Sequence, residues 1–129
     1  MSEALRFNAR LPAHQLSVRA ARAMVRALST FLPPDRTHAV ELVVSELVTN
    51  SIRYGPHSAD DVVDVELVLH DDSLAGTVRD TGPAFPFPID EPAPGQVGGF
   101  GLHIAASLSA LDIQRSDHGN VVRFDVPLG

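Results

Sequence analysis

The chain contains no cysteine and no lysine, so all ten of its basic residues are arginine. Without thiols there is no disulfide framework, no thiolate nucleophile and no Cys-ligated zinc. Without a lysine amine, Schiff-base chemistry and the lysine of a P-loop are excluded. No apolar run approaches the ~18 residues of a membrane-crossing helix, and the first residues lack the apolar centre of a signal peptide. A cytoplasmic protein with no membrane association is the expectation. Positive charge is scarce: the formal net charge is −6 and the sequence pI about 5.3. Bulk nucleic-acid binding needs a basic footprint and is disfavoured. The six histidines (14, 38, 57, 70, 103, 118) show no metal-ligand spacing, and Gly-X-Ser-X-Gly is absent. Zinc sites and serine hydrolase chemistry therefore lack their motifs. His103, just inside a helical segment, reads as structural.

What remains is an ordinary globular composition. A 44% hydrophobic share over 129 residues can close one core but not two, so residues 1–129 read as a single domain. Residues 4–10 alternate apolar and polar, which predicts a strand that Pro12 interrupts. Leu16, Ala20, Ala23, Met24, Ala27, Leu28 and Phe31 recur at helical spacing, with Arg19, Arg22 and Arg26 on another side. Pro33-Pro34 stops that helix, and Asp35 is a candidate N-cap for a second one running to Tyr54 and closed by Gly55-Pro56. Val62–Leu69 and Leu74–Arg79 read as a hairpin about the turn His70-Asp71-Asp72-Ser73. A Pro/Gly-rich loop spans Asp80 to Gly99. A third helix is expected over Phe100–Ala110, then strands over Leu111–Arg115 and Val121–Val126. The order predicts a two-layer α/β sandwich, a mixed, mainly antiparallel sheet with three helices on one face.

Three segments carry candidate chemistry. Within the second helix, ~100° per residue puts Asn50 and Arg53 within roughly 40° of Glu46, while Val40, Val43, Val44, Leu47, Val48 and Ser51 take the other side. A carboxylate and an amide on one stripe can hold Mg²⁺ with its waters or orient a nucleophile; a solvated helix face is the alternative. Asp80-Thr81-Gly82 follows a strand. Its carboxylate can accept from an exocyclic amine, and Gly82 lets a planar ring approach the backbone, although a strand-ending turn gives the same pattern. Gly98-Gly99-Phe100-Gly101-Leu102 opens a helix, where free N–H groups and the helix dipole suit a phosphate; a flexible helix start explains it equally well. The Arg19/Arg22/Arg26 stripe is either a solvated face or a docking surface for an acidic partner.

Together, in this order, the motifs resemble the nucleotide-binding fold of gyrase and histidine kinases (the GHKL or Bergerat ATP-binding fold). The short chain is most similar to the bacterial anti-sigma factor serine kinases. That resemblance implies ATP and Mg²⁺ as cofactors, with Asn50 on the metal and Glu46 as general base toward an attacking hydroxyl. Asp80 would bind the adenine amine, with Gly82 beneath the ring. The backbone of Gly99, Phe100, Gly101 and Leu102 would receive the phosphates, and Arg53 could face them too. The family's usual threonine after the last glycine is here Asn120, whose amide can replace a hydroxyl in a water-mediated contact to adenine. The lid, about Pro86 to Gly98, carries no arginine or lysine. The implied function is a serine/threonine kinase acting as an anti-sigma factor, which phosphorylates an anti-anti-sigma partner and sequesters a sigma factor. A catalytically weak nucleotide-binding module is the alternative. Folds of this class often pair through a sheet edge or the first helix, which leaves a homodimer open.

Overall fold

The computed structural model describes residues 5–54, 61–81, 109–116 and 119–129. The elements are β1 (Leu5–Pro12), α1 (Leu16–Ala27), a 3-10 turn (Ser29–Phe31), α2 (Pro34–Tyr54), β2 (Val62–Leu69), β3 (Ser73–Asp80), β4 (Ala110–Ser116) and β5 (Gly119–Pro127). The strands form one sheet in the order β1-β2-β3-β5-β4. All four ladders are antiparallel, so the expected parallel component is absent from the described sheet. Two α-helices are present among the described residues against the three expected. Of the third, expected over 100–110, residues 100–108 lie outside the description, while Ser109 is a bend and Ala110 opens β4 instead of closing a helix.

Both helices lie on one face. α1 packs on α2 and touches β1, while α2 covers β2, β3 and β5. The period-two strands supply the other half of the core: Val63, Val65 and Leu67 from β2, Leu74 and Val78 from β3, and Val122, Phe124 and Val126 from β5. Gly76 leaves room for the Phe124 ring, because a Cβ there would lie 2.1 Å from its Cζ. The opposite face stays polar and is laced by cross-strand ion pairs, Arg10–Asp64 at 3.0 Å, Arg6–Glu66 at 3.9 Å and Arg123–Asp112 at 3.9 Å. Such exposed pairs contribute little stability individually, but they keep this face wettable.

α2 is held by burial more than by propensity. Val40, Val43, Val44 and Val48 are β-branched and poor helix formers, yet all four are fully buried. Pro34 occupies the first helical position, where its missing N–H is not needed, so Asp35 lies inside the first turn and is not the N-cap. Pro12 does not end the first strand early; it pairs with Val62 as the last residue of β1. An edge strand tolerates it because its outer side needs no donor. On α1 the buried residues are Ser17, Ala21 and Val25, continued by Leu28. The expected stripe is rotated by about one residue: Leu16 is 66% and Phe31 55% exposed, and Ala20, Ala23 and Ala27 are exposed as well. Arg19 and Arg22 are exposed, whereas Arg26 reaches Glu41 on α2 at 2.9 Å.

Candidate functional site

The site is anchored where β3 and β5 run side by side. The last residue of β3, Asp80, stands opposite Asn120, the second residue of β5. Forty residues apart in the chain, they are neighbours because β5 inserts between β3 and β4. Asp80 is 3% and Asn120 0% exposed. A buried carboxylate is costly unless hydrogen-bonded, and here the Asn120 amide Nδ2 donates to Asp80 Oδ1 at 2.9 Å. The backbone is equally close at this point. Gly119 adopts φ +132°, and a Cβ on it would sit 2.0 Å from the Asp80 carbonyl oxygen.

α2, packed on β3 and β5, contributes the second part. Glu46 and Asn50, one turn apart, are both half-buried beside the buried Val43, Leu47 and Ser51. The expected polar stripe is therefore neither a solvated face nor part of the apolar core. Asn50 Nδ2 is buried and meets no hydrogen-bond partner among the described residues. Leaving such a donor unpaired costs about 1–3 kcal/mol, so a polar group kept at this position points to a ligand. Nearby hydroxyls are satisfied within the helix, Ser45 donating to the Glu41 carbonyl at 2.7 Å and Thr49 to the Ser45 carbonyl at 2.6 Å.

The residues fit a magnesium nucleotide. A half-turn about Cβ–Cγ would let the planar Asn50 amide present oxygen instead of nitrogen, a hard donor of the kind Mg²⁺ takes, with the Glu46 carboxylate one turn away on the same helix. Among the described residues no group of three or more His, Asp or Glu side chains is arranged to hold a metal ion by itself. Mg²⁺ needs none when phosphates and waters complete its shell. Arg53 lies on α2 with its side chain outside the description, and Gly82, Gly99, Phe100, Gly101 and Leu102 lie outside it altogether. The described structure thus brings Asp80 and Asn120 into contact and places Glu46 and Asn50 on the helix that packs over their strands. Two open cavities lie elsewhere. One of about 320 Å³ sits among Asn8, Arg10, Asp64, Glu66, Thr77 and Arg79 on the polar sheet face. The other, about 250 Å³, touches Asp80 and Gly119 but takes its remaining lining from Val62, Asp64, Arg79, Thr81 and Val121, with nothing from α2. Neither gathers the predicted residues, and we place the candidate site on the helix-covered side.

The profile of the histidine kinase-like ATPase domain matches residues 11–126, and the chain belongs to that family. Among curated proteins it is similar to the anti-sigma F factor of Oceanobacillus iheyensis, 43% identical over 65 residues. That match spans 48% of this chain and 44% of the relative. Among solved structures it resembles the Erythrobacter litoralis EL346 blue-light activated histidine kinase, with a TM-score of 0.60 and 28% identity over 75% of this chain and 32% of the other. The histidine kinase domain of the same protein gives a TM-score of 0.61 at 21% identity, over 91% of this chain and 61% of that one. The catalytic domain of histidine kinase ThkA gives 0.57 at 16% identity, over 98% of both chains. These last two likenesses concern the fold alone. The chain is accordingly an ATPase-type domain of the GHKL class with an anti-sigma F factor among its relatives.

Sequence reasoning did not find two features of the site. One is Gly119, whose backbone approach to Asp80 depends on the β3–β5 pairing. The other is the direct Asn120–Asp80 bond, where a water-mediated contact of Asn120 to the base was expected.

Proposed function

We propose that this protein binds Mg²⁺·ATP and transfers the γ-phosphoryl group to a serine or threonine hydroxyl of a small anti-anti-sigma protein, and that it sequesters a sigma factor when that partner is absent. The observation that carries the reading is the buried Asp80 carboxylate, fixed at the end of β3 by Asn120. A carboxylate so placed can accept from the 6-amino group of adenine, and Gly82 would lie beneath the ring. Asn50 would hold Mg²⁺ through its amide oxygen. When bound, Mg²⁺ neutralises charge on the transferring phosphoryl group. Glu46 takes the proton from the incoming hydroxyl as its oxygen attacks the γ-phosphorus and ADP departs. The backbone of Gly99, Phe100, Gly101 and Leu102 would receive the phosphates, with Arg53 as a further candidate to meet them.

The partial match to an anti-sigma F factor supports this choice of partners. The exposed Arg19 and Arg22 on α1 offer an acidic partner a basic contact in an otherwise acidic chain. No helix among the described residues is long and apolar enough to cross a membrane.

The second reading is a module in which nucleotide alters partner affinity without turnover. One observation favours it: residues 86–98 contain no basic side chain to steady the γ-phosphate. Purified protein with Mg²⁺ should show saturable binding of ADP or ATP by calorimetry. Incubation with labelled ATP and an anti-anti-sigma protein should then give phosphoserine or phosphothreonine. Binding without label on any candidate partner favours the module, and absence of binding removes both readings.

A further inference from the structure

The sheet face turned away from the helices carries a charge pattern outside the candidate site. The pairings put Arg10 opposite Asp64 and Asp64 opposite Arg79, so the three stand in one row across β1, β2 and β3. Neighbouring strands lie about 4.8 Å apart, which leaves both guanidiniums within reach of the one carboxylate. Arg10 takes it, its Nε donating to Asp64 Oδ1 at 3.0 Å. Arg79 is exposed, and among the described residues its guanidinium meets no carboxylate and no hydrogen-bond acceptor. The other acid beside it, Glu66, has its own counter-ion in Arg6 at 3.9 Å. Three arginines thus share two carboxylates, and Arg79 is left over. It stands on the middle strand of the sheet and borders two open cavities. In the larger, Asn8 and Thr77 are neutral donors beside it.

We propose that this open sheet face docks an acidic, carboxylate-bearing segment of a partner protein, with Arg79 as its anchor. A partner carboxylate over Arg79 extends the alternation of Arg10, Asp64 and Arg79 by one further charge, and Thr77 and Asn8 donate beside it. Charge complementarity selects this occupant. The chain has a formal net charge of −6, so an acidic partner is repelled from most of its surface and meets an uncompensated cation here. A second copy of the chain would bring the same net charge and is the poorer occupant. The segment lies across the sheet from α2, so it leaves the candidate nucleotide site unobstructed, and its docking does not depend on the nucleotide reading.

The test measures, by fluorescence anisotropy, the affinity of the full chain for a labelled peptide of alternating glutamate and serine, with glutamine replacing glutamate in a control peptide. The wild type is expected to bind the acidic peptide, less tightly as salt is raised, and not the control. Arg79→Gln should lose about three- to fivefold in affinity, the range of one exposed ion pair, and Arg79→Lys should stay within about twofold of wild type. Asp64→Asn releases Arg10 and should tighten binding by about threefold, a gain that damage to the fold would not give. Arg36→Gln removes the same unit charge from α2, on the other side of the sheet, and should leave the affinity unchanged. Thermal melts confirm folding; if Asp64→Asn does not fold, Arg79→Gln against Arg36→Gln decides alone. Equal affinities in wild type and Arg79→Gln, an equal loss in Arg36→Gln, a folded Asp64→Asn that binds no tighter, or a wild type that does not bind the acidic peptide would each overturn the proposal. So would a dimer in sedimentation that Arg79→Gln dissociates, since the face would then belong to a second copy.

Discussion

Gly119→Ala is expected to destabilise the fold by about 2–4 kcal/mol and to remove nucleotide binding from whatever folded protein remains. Two costs combine. At φ +132° an L side chain meets its own backbone, a strain of about 1–3 kcal/mol. The added methyl would also overlap the Asp80 carbonyl oxygen at 2.0 Å and crowd Thr81 Cα at 2.9 Å. Both neighbours are backbone, so no flexible side chain can yield. Relief requires β3 and β5 to part at the point where Asp80 and Asn120 are bonded. Urea unfolding monitored by circular dichroism measures the first effect as a lower midpoint at unchanged slope. Calorimetry with ADP below the transition measures the second. A midpoint and an affinity both equal to wild type would show that the close approach at Gly119 has no consequence.

Glu46→Gln should lower the rate of partner phosphorylation by about 10²–10⁴-fold, the usual contribution of a general base. Affinity for ADP should stay within about threefold of wild type, because the amide keeps the shape and removes only the proton acceptor. The two readouts must separate. Glu46 is half-buried on α2, so the substitution neither opens a cavity nor strands a buried charge. Initial rates of label transfer from ATP, with binding measured in parallel, decide the outcome. An unchanged rate would assign the proton to another acceptor. A parallel collapse of binding and rate would mean that Glu46 holds the nucleotide or the fold and is not the base.

The parts of the fold legible in the sequence are those in which local pattern and tertiary contact agree. β2 runs from Val62 to Leu69 as expected, because Val63, Val65 and Leu67 alternate with Asp64 and Glu66, and one face is buried while the other meets Arg10 and Arg6. α1 was legible as a helix, but not in its orientation. Alanine hardly distinguishes one face from another, and the buried face is set by Val25 and Leu28 from further along the helix. The all-antiparallel sheet was only partly legible, since β5 pairs with β3 and not solely with its sequence neighbour β4. For the same reason Asp80 and Asn120 could be named separately while their bond could not. Glu46 and Asn50 could be placed on one stripe from spacing alone. The buried, unpaired amide of Asn50 depends on what packs against α2, which the helix's own residues do not specify.

The most direct test is a crystal structure of the protein with Mg²⁺ and a non-hydrolysable ATP analogue. The account predicts the adenine 6-amino group within hydrogen-bonding distance of the Asp80 carboxylate, with Asn120 still bonded to its other oxygen. It also predicts the Asn50 amide oxygen on the metal and Glu46 beside the terminal phosphate. An analogue lodged on the polar sheet face among Arg10, Asp64 and Arg79, or a base with no contact to Asp80, would contradict it.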